Sequence, residues 1–478
     1  MEKKYHVFWE ILPVIGLVLW GAFGITENLW YDEAYSAALV SHTPWEIILI
    51  TARDVHSPFY YFFLKIFWEL FGPIMGFRCL KWFSILAMMG YMLLGKYYVK
   101  KWFGEKVSVY FMFFSITMPI MLVQSSTVRM YTLALFSMTL MSLLMLELYR
   151  EASRGKWLLF ILASTCSVYS HTYAMLQTVF LYLIFLGAIL YQKKYKLLKG
   201  FIISSICVAI FFLPWLLVIC LQLQHRTGGS MVGAGAMSLV LATLKDCCKE
   251  WFSALEKPIW LVQQIEMAVF LFLGWNAVRW MRSRHSVVPA LGILAIGLTI
   301  VASSLVYIFT GQGFFGRVFF PGFASLMLVY AVGMEQLRSK IVKILVILTV
   351  VVCFFFQYKS ELELEYDPGL GTWKSFVEEN VKTEDVVMAP NVHSLYLNIF
   401  CPEKNYMIYF YMPGNSPFRA EIFTSWEQLD QYEGTLWYVC GIGEEPEVLA
   451  ERYTWEETVS FHYMYQDLAV FRLEPISM

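Results

Sequence analysis

The chain reads as a mainly α, polytopic transmembrane bundle of about eleven spans with a small extracytoplasmic α/β domain at its C-terminal end. Three observations predict this. Of 478 residues, 58% are hydrophobic, 18% aromatic and only 15% charged, too little polar surface for a soluble protein of this length. Apolar runs of bilayer length recur as far as residue 357, and acids appear freely from there on. Lys and Arg gather in every second loop between the runs.

Measured against a bilayer, the runs lie near 7–25, 76–98, 107–123, 128–148, 157–172, 174–191, 200–221, 262–280, 288–309, 316–335 and 341–357. Lys3 and Lys4 precede the first. The basic loops that follow carry Lys96, Lys100, Lys101 and Lys106; Arg150, Arg154 and Lys156; Lys193, Lys194, Lys196 and Lys199; Arg279, Arg282 and Arg284; and Arg338, Lys340 and Lys343. Together they hold more than half of the 36 Lys and Arg. The positive-inside rule makes that side, and the N-terminus, cytoplasmic. An odd number of spans then puts the C-terminal portion outside the cell membrane. Ala22-Phe23-Gly24 loosely matches a signal-cleavage site, and a signal-anchor serves a polytopic chain equally well.

Residues 1–357 form the predicted membrane module and 358–478 the outer domain. In the latter, Asp385-Val386-Val387-Met388-Ala389 and Thr435-Leu436-Trp437-Tyr438-Val439 read as buried strands. Glu445-Pro446 opens a predicted helix towards Arg452, and Asp467-Leu468-Ala469-Val470-Phe471-Arg472 closes as another strand. The net charge of −1 gives no field for nucleic acid. The nine cysteines show no metal spacing. Most lie in apolar segments as small hydrophobes, and Cys247-Cys248 reads as free thiol. Whether Cys401 pairs with Cys440 stays open.

The first outer loop, 26–75, is too long for a connection. It opens with Trp30-Tyr31-Asp32-Glu33-Ala34-Tyr35-Ser36, an acid pair at the membrane boundary, where ionised carboxylates are costly and usually functional. Thr43 is predicted to N-cap a helix with Pro44 at its first position, running to about Ala52. Ser57 caps a second, from Pro58 to Gly72. At about 1.5 Å per residue it reaches only about 21 Å, too short to cross the hydrocarbon, and belongs in the interface. Between them stand Arg53-Asp54-Val55-His56. A helix N-terminus at Ser57 is a ready anion site, and Asp54 with His56 offers donors for a metal ion or a phosphate-bearing substrate. An ordinary cap with solvated neighbours accounts for the same residues. The outer segment 222–261, with Gly228-Gly229 and Gly233-Ala234-Gly235, reads as a mobile loop able to cover a donor.

Asp32-Glu33-Ala34-Tyr35-Ser36 followed by Asp54-Val55-His56-Ser57-Pro58-Phe59-Tyr60-Tyr61 resembles the start of a GT-C glycosyltransferase of the family 39 and bacterial Rgt-like kind. Gln124-Ser125-Ser126-Thr127-Val128-Arg129-Met130-Tyr131, Tyr169-Ser170-His171-Thr172-Tyr173 and Gly316-Arg317-Val318-Phe319-Phe320-Pro321 fit the same family. The resemblance covers roughly residues 1–335. It implies transfer of a sugar from a polyprenyl-phosphate donor to an envelope acceptor (lipid, polymer or protein) at the outer face of the membrane. By resemblance Asp32 is the general base, and Glu33 positions Asp32, the acceptor or a metal. Where the family's aminoarabinose transferase has a glutamate-lysine pair before two prolines, this chain has a histidine and one proline. A divalent ion at Asp54 and His56 is accordingly left open.

The chemistry suits these residue types. A lipid phosphate is a good leaving group, so the site needs charge stabilisation rather than a general acid. Arg129 and Arg317 are permanently charged phosphate binders at the outer ends of spans four and ten, with snorkelling to the interface as the alternative. His56 and His171 are further donor-phosphate candidates, a hydrogen-bonded structural role being the alternative for His171. One carboxylate opposite the leaving group predicts inversion. Asp54, Tyr35, Tyr60 and Tyr131 are the substrate-contact candidates; an interfacial aromatic belt explains most such tyrosines, least so Tyr131 beside Arg129. A transporter or flippase of lipid-linked sugars is the main competing class, but it would show internal repeats and broken mid-membrane helices, and no repeat is visible. An inactive scaffold would have lost the base, and diphosphate-using polymerases or ligases generally lack the acid pair.

Overall fold

The computed structural model describes residues 2–54, 56–226, 236–252, 260–310, 313–409, 416–423, 434–443 and 452–476. In chain order the helices are α1 (Glu2–Phe23), α2 (Tyr31–Val40), α3 (Pro44–Arg53), α4 (Phe59–Met75), α5 (Arg78–Leu94), α6 (Lys100–Phe103), α7 (Glu105–Thr117), α8 (Pro119–Ser126) and α9 (Tyr131–Arg150). They continue as α10 (Arg154–Ser170), α11 (Thr172–Tyr191), α12 (Leu198–Arg226), α13 (Ala236–Phe252), α14 (Trp260–Arg284), α15 (Val288–Thr310), α16 (Phe323–Gln336), α17 (Lys340–Glu365) and α18 (Gly369–Asn380). The protein is a multi-pass membrane protein. Among the described residues eight helices are long and apolar enough to cross a bilayer, or nine when the bent pair α7–α8 counts as one span. The other two expected spans correspond to α5 and α10, of 17 residues each, at the short end of spanning lengths.

The chain divides into two compact units: residues 1–25, 55–60 and 81–361, and residues 26–54, 61–80 and 362–478. The first holds the helical bundle. A core of Ala134, Met138, Leu144, Phe160, Phe185 and Phe201 ties α9, α10, α11 and α12 together. Between α7 and α8 the axis bends by 70°. Met118 is extended (φ −73°, ψ 131°) ahead of Pro119, as the clash with a proline ring requires of the residue before it.

Residues 236–252 correct the expectation of a loop over 222–261. They form α13, whose Val240 and Cys247 are buried while Leu239 and Cys248 are exposed, the alternation of a two-faced helix. The glycines at 228–235 lie outside the described residues, as does the helix expected from Glu445.

In the second unit six strands form one sheet, β1 (Val386–Ala389), β2 (Asn405–Tyr409), β3 (Glu421–Phe423), β4 (Leu436–Gly441), β5 (Tyr453–Tyr463) and β6 (Gln466–Pro475), in the order β3-β2-β1-β4-β6-β5. The β1–β2, β1–β4 and β2–β3 pairs are parallel, while β6 lies antiparallel to both β4 and β5. The three expected strands are β1, β4 and β6; β5, which alternates apolar and polar residues along much of its length, was not foreseen. Cys401 and Cys440 are both buried free thiols.

Asp385 anchors the sheet. Its buried carboxylate accepts N–H groups from Lys382 (2.9 Å), Thr435 (2.8 Å) and Trp437 Nε1 (3.1 Å). Burial pushes its pKa up, but those hydrogen bonds outweigh it and hold the carboxyl below the ordinary aspartate range. A depressed acid contributes stability above its unfolded pKa and loses it as pH falls through the folded one. Asp385→Ala should therefore cost the sheet about 2–3 kcal/mol at neutral pH and flatten its acid sensitivity, read as faster hydrogen exchange of β1 and β4 amides. Unchanged exchange would contradict the anchoring role.

Candidate functional site

The second unit carries the acid pair. Asp32 and Glu33 occupy the first turn of α2, where a negative charge meets the positive end of the helix dipole. Glu33 is 4% exposed and accepts the Trp30 N–H at 3.2 Å, capping its own helix. Asp32 is partly exposed. The segment leading to them is fixed by the C-terminal part of the same unit. The Tyr463 hydroxyl takes the Leu29 N–H and donates to the Leu29 carbonyl, each at 3.0 Å. Asn28 Nδ2 donates to the carbonyls of Glu365 (3.0 Å) and Asp367 (2.8 Å), and the Tyr31 ring meets Tyr396 edge-on at 6.0 Å. Tyr35 is buried with its ring 6.4 Å from Tyr61. As predicted, Thr43 caps α3, accepting from Glu46 N at 3.3 Å while Glu46 accepts Thr43 N at 2.8 Å. Asp54 is the C-cap of α3, its N–H bonded to Thr51 O.

The first unit brings together most of the other candidates. Ser57 Oγ lies 3.4 Å from the Phe59 N–H at the start of α4, so the helix begins one residue beyond its expected first position. His56 Nε2 lies 2.7 Å from Arg129 Nη2. A guanidinium only donates, so this nitrogen accepts, and the imidazole is neutral with its proton on Nδ1. Arg129 is 4% exposed and sits in the turn between α8 and α9. There Thr127 O takes both the Arg129 N–H (2.8 Å) and the Ser84 hydroxyl of α5 (2.7 Å). Tyr131 opens α9, and its ring lies 5.5 Å from His171. His171 is the single residue between α10 and α11; its Nδ1 accepts the Tyr173 N–H at 3.1 Å, capping α11. Tyr173 in turn meets Phe319 edge-on at 5.6 Å, in the 3-10 turn Gly316–Gly322 that bears Arg317. Both Arg129 and Arg317 act electrostatically on His171. Tyr60 is fully buried against Phe83, a packing position.

Two groups escaped the sequence reading. Glu250 and Trp251 of α13 grip the corner that carries Arg317: Glu250 Oε2 accepts the Gly316 N–H at 2.6 Å, and Trp251 Nε1 donates to Gly316 O at 2.8 Å. Burial raises the Glu250 pKa, with Arg317 opposing it. Lys81 of α5 is fully buried, one turn before Ser84. A lysine inside an apolar run was the available signal, since intramembrane charge defaults to function. Along α11 a cavity of about 530 Å³ runs beside α9, α15 and α16, lined by Met138, Leu181, Phe185, Leu291, Ala295 and Pro321 among others.

At His56 the donor set of a metal centre is incomplete. His56 Nε2 is already engaged by a cation, and among the described residues no group of three His, Cys, Asp or Glu ligands converges.

No family model and no curated protein sequence matches the chain. Solved structures do. The crystal structure of ArnT from Cupriavidus metallidurans in the apo state superimposes with a TM-score of 0.64 at 12% identity, over 97% of each chain. The same protein bound to undecaprenyl phosphate gives 0.65 at 12% identity, over 97% of this chain and 98% of that one. The chain has an ArnT-like, GT-C fold. The Archaeoglobus fulgidus oligosaccharyltransferase, solved with zinc and sulfate, aligns at 12% identity over 95% of this chain and 73% of that one, with a TM-score of 0.49, too low to bear on this chain.

The Gly316 corner is testable. A Cβ there would meet Cys247 O, Glu250 Oε2 and Trp251 Nε1, each at 2.8 Å, whereas one at Gly313 would meet nothing within 4 Å. Gly316→Ala should cost about 1–3 kcal/mol by overpacking and Gly313→Ala almost nothing, compared by thermal unfolding in detergent. Equal shifts would mean that α13 does not hold this corner tightly.

Proposed function

We propose that the protein is a glycosyltransferase that moves a sugar from a polyprenyl-phosphate donor to an acceptor hydroxyl at the outer face of the cell membrane. The observation that carries this reading is the set of cationic and imidazole groups in the membrane-spanning unit. Arg129, 4% exposed, is bonded to His56, and His171 feels both Arg129 and Arg317. Burying the Arg129 guanidinium, with the half-buried Arg317 acting on the same imidazole, is costly unless an anion is to be held. The ArnT-like fold supports the lipid-phosphate class, because the Cupriavidus protein was solved with undecaprenyl phosphate bound. The apolar cavity along α11 suits a prenyl tail.

In this account the membrane module is residues 1–357 and the outer domain 358–478, with the N-terminus cytoplasmic. Arg129, Arg317, His56 and His171 bind the donor phosphate, His171 through the Nε2 proton that its Nδ1 cap leaves in place. Lys81 adds a further positive charge. The bond between the sugar's anomeric carbon and the phosphate oxygen breaks, and its electron pair leaves with the lipid phosphate. Guanidinium groups stabilise the charge that grows there. The acceptor oxygen forms the new bond from the opposite side, giving inversion, while Asp32 takes its proton. Glu33, by capping α2, holds Asp32 in place; Tyr35, Tyr131 and Asp54 are the substrate contacts. No step is routed through a metal.

Asp32→Asn should lower turnover by at least about a hundredfold with donor affinity unchanged, measured as release of lipid phosphate beside equilibrium donor binding. Near-normal turnover would remove Asp32 from the base role. Arg317→Ala should weaken donor binding about tenfold or more, and unchanged affinity would return Arg317 to interfacial snorkelling. For topology, a cysteine at the exposed Glu456 should react with an impermeant reagent on intact cells, above the wild-type background. Reaction only after permeabilisation would reverse the orientation.

A further inference from the structure

A second cavity, of about 410 Å³, lies away from the groups assigned above, among the π-helix Gly95–Val99, α6, the end of α9 and the start of α10. Its walls are Tyr97, Tyr98, Lys101, Glu147, Lys156 and Leu159, with Leu144 and Gly155. We propose that it binds the phosphodiester headgroup of an anionic phospholipid, a role separate from the proposed transfer reaction.

Charge is the first argument. Glu147 is 4% exposed, and its two oxygens serve two lysines. One oxygen takes the Lys101 ammonium and the Trp102 indole N–H (3.0 Å), the other the Lys156 ammonium at 3.4 Å. Two cations on one buried carboxylate leave a surplus of one positive charge. The Glu151 carboxylate approaches Lys156 only to 4.0 Å and is 84% exposed, so water screens it, while the neutral Glu151 carbonyl takes one Lys156 N–H at 2.8 Å. The buried acid fixes both ammonium groups in position, and each ammonium has three N–H donors, more than the Glu147 oxygens and the Glu151 carbonyl use. A single phosphodiester charge matches the surplus. A zwitterionic headgroup would bring its own cation against the second lysine.

Backbone geometry is the second argument. The π-helix interrupts the run from α5 to α6, and such turns concentrate at functional sites. It is held by close packing: a Cβ on Gly95 would meet Phe111 ring atoms at 2.6 Å. This turn carries Tyr97 and Tyr98 to the cavity wall. The third argument concerns the source of the phosphate. Leu158, Leu159 and Leu162 of α10 are 59%, 40% and 53% exposed, an apolar ledge beside the lysines on a membrane protein. It suits an acyl chain and offers nothing to a free anion. Basic pockets between membrane helices recognise lipid headgroups by this combination.

The test uses the full chain, delipidated in detergent, with phosphatidylglycerol, phosphatidylcholine and inorganic phosphate as three separate probes. Native mass spectrometry should find phosphatidylglycerol retained about tenfold or more over phosphatidylcholine, and only the former should raise the melting temperature. Lys101→Gln with Lys156→Gln should abolish that preference; should the pair fail to fold, Lys101→Gln alone should reduce it. Equal retention of the two lipids by wild type, or a preference that survives in the folded variants, would overturn the proposal. Inorganic phosphate matching the lipid's thermal shift would overturn it too, by assigning the cavity to a soluble anion.

Discussion

A helix leaves its first amide donors without partners, and in a membrane protein there is little water to satisfy them. That constraint governs where the functional side chains of this protein stand. Glu33 answers it at α2 and in doing so sets the turn that bears Asp32. Ser57 lies against the start of α4, next to His56. His171 answers it at α11 and is left neutral on one nitrogen and able to donate from the other. Glu250 takes the Gly316 N–H at the turn carrying Arg317. The same bonds that complete the backbone therefore orient the groups to which the chemistry is assigned, so positioning costs little beyond folding itself.

The acid pair depends on more than its own helix. Residues 26–54 belong to the same compact unit as the C-terminal sheet, and the Tyr463 hydroxyl makes two hydrogen bonds to one residue, Leu29, just ahead of Tyr31. Asn28 adds two more to the backbone at Glu365 and Asp367. A domain in which no catalytic pattern is visible thus acts on the acid-bearing turn by holding its backbone. A segment tied just ahead of its acids loses less entropy when a substrate arrives than one that must order on binding.

Much of this was legible in sequence because it rests on local or periodic information. Apolar runs gave the spans, Thr43-Pro44 gave the cap of α3, and the runs at 385–389 and 435–439 gave two strands, whose parallel pairing only the structure reveals. Asp32, Arg129, His171 and Arg317 were reached through motif order. What was not legible depends on contacts between distant residues. Glu250 meets Gly316 and His56 meets Arg129 only once the bundle has assembled. Helix α13 was hidden behind a glycine-rich stretch that resembles a loop. Strand β5 carries exposed polar residues, Glu456 and Glu457 among them, along most of its length, so its alternation reads as surface. The π-turn at Gly95–Val99 begins where the Phe111 ring packs against a position without a side chain, a contact that a local sequence pattern does not announce.

The central claim is that a sugar–phosphate bond to a lipid is broken here. The most direct measurement follows the lipid itself: purified protein, a panel of polyprenyl-phosphate sugars and solubilised cell envelope as acceptor source, with the lipid products resolved by mass spectrometry. The account predicts that polyprenyl monophosphate appears in step with sugar transferred, from one donor of the panel, and that it fails to appear with Asp32→Asn. Donors that bind yet return intact, with no monophosphate formed from any of them, would contradict it and favour a carrier of lipid-linked sugars.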